Sequence, residues 1–141
     1  MSPLSRLSDA VQQPRAGLLL LRWTLALLML PHGIAKAIKG VGGIEQMLTG
    51  ASLPGFIAYG VYLGELIAPL MLLAGFLVVP AALVIAINML MAVLLVHSGH
   101  FANLTPNGGW ALELQAFFLV TAIVVAMTAH VASGKKTPEL A

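Results

Sequence analysis

The sequence predicts an all-α fold, an integral membrane bundle of four spanning helices. Hydrophobic residues make up 60% of the 141-residue chain and charged residues 9%, whereas a soluble domain carries about a quarter charged residues. Mean hydropathy is +0.98, and the apolar residues gather into runs that match the roughly 20 helical residues needed to cross a bilayer core. Helices satisfy their own backbone polar groups inside lipid, without needing a closed barrel. No internal repeat or low-complexity linker stands out, so residues 1–141 read as one domain.

The first span is expected over about residues 16–37, from "AGLLLLRWTLALLMLPHGIA" onward, interrupted only by Arg22 and Pro31. The triplet "AKA" at Ala35 to Ala37 imitates a signal-cleavage site. The length of the apolar region, Arg22 within it and a lysine inside the motif argue for a retained helix instead. From Phe56 to Val96 the chain is one apolar stretch, too long for a single span. Proline lacks a donor and disfavours helix at the residue before it, so "VVPAA" around Pro80 is expected to turn the chain between spans 56–78 and 80–97. The turn-forming "PNGG" opens the fourth span, 109–130. Four spans bring both termini to one side. Arg6, Arg15, Lys135 and Lys136 flank that side against Lys36 and Lys39 on the other, so tails 1–15 and 131–141 are expected in the cytoplasm.

The chain has no cysteine, which excludes disulfides, thiolate metal sites and CxxC redox chemistry. Its chemistry must lie with the few polar residues inside the spans, because ionisable groups in a bilayer are costly unless paired or watered. At about 1.5 Å of rise per residue, Arg22 and Asn88 fall at similar depth, and Glu65 lies within side-chain reach of Arg22. An Arg22–Glu65 ion pair is therefore expected, with Asn88 adding amide hydrogen bonds. Such a cluster either fixes helix register or forms a midplane pocket for a quinone headgroup, a proton or a small solute. In "GVYLGELIA", Gly60, Gly64 and Ala68 repeat every four residues and let a neighbouring helix approach.

A second cluster is expected where the spans end away from the termini. His32 and Lys36 stand four apart on one helix face, "VHSGH" closes the third span, and Glu113 opens the fourth, where the helix dipole favours a carboxylate. His32, Lys36, His97, His100 and Glu113 would ring one mouth, with Tyr59, Tyr62 and Trp110 as interfacial aromatics. His97-x-x-His100 presents two imidazoles on one face only if the helix persists through Gly99, so no metal site is assigned. His32 and Lys36 also suit an anion or a quinone headgroup. No residue is assigned as catalytic.

In order, "HGIAK" after the first span, "SLPG" before the second, "GELIAPLMLLAGF" within it, "NMLMAVLLVH" in the third and "NGGWALELQ" at the fourth resemble the DoxX family of small bacterial membrane proteins. The resemblance runs from about Leu18 to Ala129. It implies a four-helix bundle of the inner membrane and links to redox metabolism, since related proteins form the membrane part of a thiosulfate:quinone oxidoreductase or associate with superoxide-detoxifying and sulfur-transfer enzymes. It also marks His32, Lys36, Glu65 and the His97 to Glu113 cluster as residues to test.

Three function classes follow. In the first, the chain is a quinone-linked membrane subunit or accessory of an oxidoreductase, with quinone as cofactor and Glu65 or His32 exchanging its protons. In the second it is a non-catalytic scaffold for soluble redox enzymes. In the third it is a small oligomeric permease or proton-coupled transporter, although the internal inverted repeats of many transporters are missing. The bilayer, soluble redox enzymes and further copies of the chain are the partners this reading admits; a nucleic-acid partner is not expected.

Overall fold

The computed structural model describes residues 10–96, 99 and 101–134. Five helices carry the description: α1 (Pro14–Lys39), α2 (Gly42–Gly50), α3 (Gly55–Ala74), α4 (Val78–Leu95) and α5 (Glu113–Ala132). Of these, α1, α3, α4 and α5 are long and apolar enough to cross a membrane, as the hydropathy pattern predicts.

Local sequence explains the ends of α1. Pro14 opens it, where the missing N–H would have had no helical partner and the fixed φ suits the first turn. Lys36 and Lys39 occupy its last turn, next to the negative end of the helix dipole. Gly40, at φ +80°, then stops it. With 26 residues, α1 is about 39 Å long and overhangs a bilayer core of roughly 30 Å.

The break between α3 and α4 falls earlier than the proline suggests. Gly75 ends α3 in the left-handed region at φ +72°, Leu77 follows at φ 46°, and α4 has already begun at Val78. Pro80 therefore sits in the first turn of α4, where a helix needs no N–H from it. Glycine, which adopts positive φ without a Cβ penalty, sets the turn. The fourth span likewise begins later than expected, at Glu113. The segment before it is a loop closed by a bridge between Leu104 and Trp110, with the indole N–H of Trp110 donating to the Phe101 carbonyl at 2.8 Å.

α1 packs against α3 and α5, α3 against α4, and α4 against α5, closing a four-helix ring. Leu25, Met29, Leu72, Ile85, Phe118 and Val125 fill its centre. Ala26, Ala68, Ala81, Ala82, Ala86 and Ala122 are buried among them, and such small side chains let helix backbones approach where no hydrophobic effect drives association. Leu20, Leu27, Leu70, Leu83, Val120 and Met127 point outward; in a bilayer these surfaces meet lipid tails.

The sequence reading does not anticipate α2. Its Leu48 is buried with Val41 and Ala58, and Ile44, Leu53, Val61, Tyr62 and Leu95 pack around them. This small second core ties α2 across α3 and α4 at the end of the bundle away from Pro14 and Ala132.

Candidate functional site

The site begins with a close approach of two backbones. A Cβ on Gly33 of α1 would stand 2.6 Å from the carbonyl carbon of Glu65 on α3, so only glycine fits there. On its other side α3 presses Gly64 against Asn88 of α4, where an added Cβ would lie 2.5 Å from the Asn88 Cβ. Gly64 and the buried Ala68 thus make the contacts that their spacing predicts. Gly60 has open space around it and lines a cavity.

Glu65 lies on a widened turn. The amide of Ala68 bonds to the Leu63 carbonyl, five residues back, and Leu63–Ile67 form a π-turn. Pro69 follows and is buried. It has no N–H to give the Glu65 carbonyl four residues earlier, and that carbonyl faces Gly33. A π-turn inside an α-helix redirects its side chains and often marks a functional position.

Glu65 is 2% exposed. Its Oε1 pairs with the Lys36 ammonium and accepts a hydrogen bond from Asn88 Nδ2 at 3.2 Å. The Tyr62 hydroxyl donates to the Lys36 carbonyl at 3.2 Å, fastening the end of α1 to α3. Oε2 is buried with no hydrogen-bond partner among the described residues. A buried acceptor left in this state costs free energy until a donor reaches it.

Lys36, Glu65 and Asn88 line one side of a cavity of about 420 Å³. The rest of its wall is apolar: Ile44, Met47 and Leu48 from α2, Ile57, Val61 and Leu63 from α3, and Val84, Ile87, Met91 and Leu95 from α4. A small polar group set in an apolar cleft of this size is the usual form of a small-molecule site.

Arg22 does not join this cluster. Register explains why: Gly33 sits against Glu65, and Arg22, eleven residues down α1, is then about 16 Å away along the axis, whereas Lys36 is less than one turn from Gly33. Arg22 is buried beside Gly75, with its Nη2 3.6 Å from where a Cβ of that glycine would stand. There a cation meets the negative end of α3. The expected Arg22–Glu65 pair is thus replaced by Lys36–Glu65, while the role expected of Asn88 matches its bond.

The expected mouth is also divided. His32 is exposed and meets Phe118 of α5 edge to face, with ring centroids 6.0 Å apart, away from the cavity that Lys36 lines. Glu113 is exposed at the start of α5, its carboxylate lying over Gly109. Tyr59 and Tyr62 stack at a tilt, centroids 6.3 Å apart. His97 and His100 lie outside the described residues, among which no three His, Cys, Asp or Glu side chains gather to hold a metal ion. Sequence reasoning missed Ile44, Met47 and Leu48 as site residues; their i, i+3, i+4 spacing opposite Glu45 and Gln46 was the available signal.

No curated protein and no solved structure matches this chain. The family model for DoxX matches residues 17–98, a segment that includes Lys36, Glu65, Asn88 and the apolar wall around them. With more than half of its length matched and four helices fit to cross a membrane, the chain is a multi-pass membrane protein that belongs to the DoxX family.

Proposed function

We propose that the chain is a quinone-linked membrane subunit or accessory of an oxidoreductase, and that its cavity takes a lipid-soluble quinone-type ring at the Lys36–Glu65–Asn88 cluster. The observation that carries the reading is Glu65, a residue of the apolar cavity's lining whose buried Oε2 has no hydrogen-bond partner among the described residues. An apolar ring would fill the space; its polar edge accepts from the Lys36 ammonium, and in the reduced ring a hydroxyl on that edge can also donate to that atom. Electrons would pass through a partner, since the chain has no thiol. We place the protein in a bacterial inner membrane, as membership of the DoxX family implies, with cytoplasmic termini from the lysine and arginine distribution.

The test is an inventory by mass spectrometry of molecules retained after mild purification of wild type, Glu65→Leu, Lys36→Met and His32→Ala. Quinone or hydroquinone retained by wild type and His32→Ala but lost from the two cavity variants supports the reading. The same lipids in all four, with no quinone, would refute it and favour a scaffold for soluble redox enzymes.

A further inference from the structure

We infer that the cavity selects a ligand presenting a hydroxyl donor, so that, on the quinone reading above, it holds the reduced hydroquinone in preference to the quinone. The inference follows from which hydrogen-bonding capacity is left over. Glu65, as the partner of an ammonium, is an ionised carboxylate and can only accept. Oε1 already accepts from Lys36 and Asn88. Oε2 is buried, lies in a side chain that lines the cavity, and accepts from no described residue. Only a donor can satisfy it.

A hydroquinone hydroxyl meets both needs of the site: its hydrogen goes to Oε2, and its oxygen accepts from one of the remaining N–H groups of Lys36. The quinone carbonyl can use only the lysine. It would set its own lone pairs against Oε2, two acceptors facing each other in an apolar cavity, where such a mismatch is poorly screened. Sites that bond a hydroxyl discriminate strongly against analogues without it, because the partner atom is left buried and unpaired. Elsewhere the cavity wall is apolar, which leaves the oxidation state of the ring's polar edge to be read at Glu65.

The experiment is anaerobic calorimetric titration of the purified protein in detergent with decyl-benzohydroquinone, the matching quinone and the hydroquinone dimethyl ether, which keeps the shape without the donor. Wild type is expected to bind the hydroquinone at least about tenfold more tightly than the other two, as expected when one buried acceptor loses its donor. In Glu65→Gln the two fixed donors hold the amide oxygen at the Oε1 position and put the NH₂ where Oε2 stood, so the preference should reverse toward the quinone. Equal binding of all three probes by wild type would overturn the inference and leave the quinone reading intact. Binding of none of them would overturn both. Should Glu65→Gln fail to fold, the comparison of three probes on wild type decides alone.

Discussion

The ammonium of Lys36, in the last turns of α1, is paired with the carboxylate of Glu65, halfway along α3. The lysine side chain is 33% exposed and the glutamate 3%, so the cation reaches inward from the bundle end while the anion is held inside. Removing one partner leaves the other with no counter-charge. Lys36→Met is expected to destabilise the bundle by about 3 kcal/mol, at the low end for a broken buried pair because the lysine is partly solvated. Adding Glu65→Gln to it should recover most of the loss. The unfolding midpoint in mixed detergent and SDS measures both; equal loss in the single and double variants would show that the pair is not what holds this region.

Close backbone approach is a separate source of stability. Gly33→Ala and Gly64→Ala each force a methyl group into space occupied by Glu65 or Asn88 and should cost about 1 to 3 kcal/mol, the range for overpacking. Gly60→Ala adds a methyl group to open space and should change stability by less than about 0.5 kcal/mol apart from helix propensity. The same denaturation assay ranks the three, and an equal effect at all positions would contradict the packing described here.

How far the sequence discloses this arrangement depends on the kind of signal. Hydropathy locates the spans because burial in lipid is a property of long windows. Glu65 and Asn88 stand out as polar residues where lipid makes them costly. The partner of Glu65 is hidden, because depth counted along ideal helices ignores the register set by Gly33 and the extra residue absorbed at the π-turn before Pro69. Pro80 misleads because the same residue that breaks a helix interior is well suited to a first turn, and Gly75 is the true stop. The nine residues of α2 are too few for a span, yet they form one wall of the cavity.

That register has a test of its own. Arg22 and Glu65 are about 16 Å apart along the bundle, and residues so far apart without shared partners act independently. The stability losses of Arg22→Met and Glu65→Gln should therefore add to within about 0.5 kcal/mol. A coupling of 1 kcal/mol or more, by double-mutant cycle, would restore the pairing suggested by depth alone.

The absence of native cysteine makes sidedness directly measurable with single introduced thiols. Ser52 follows α2, Asn107 is exposed in the loop before α5, and Ser133 is exposed just after α5. An up-and-down path through α1, α3, α4 and α5 puts Ser52 and Asn107 on one side and Ser133 on the other. In intact cells an impermeant maleimide should modify Ser52→Cys and Asn107→Cys, and should reach Ser133→Cys only after lysis, because the arginine and lysine bias favours termini inside. The opposite pattern would invert the topology. The cavity lies toward the Ser52 end of the bundle, between α2 and the halves of α3 and α4 nearest it, so the labelling also identifies the leaflet from which a lipid-soluble ring would enter.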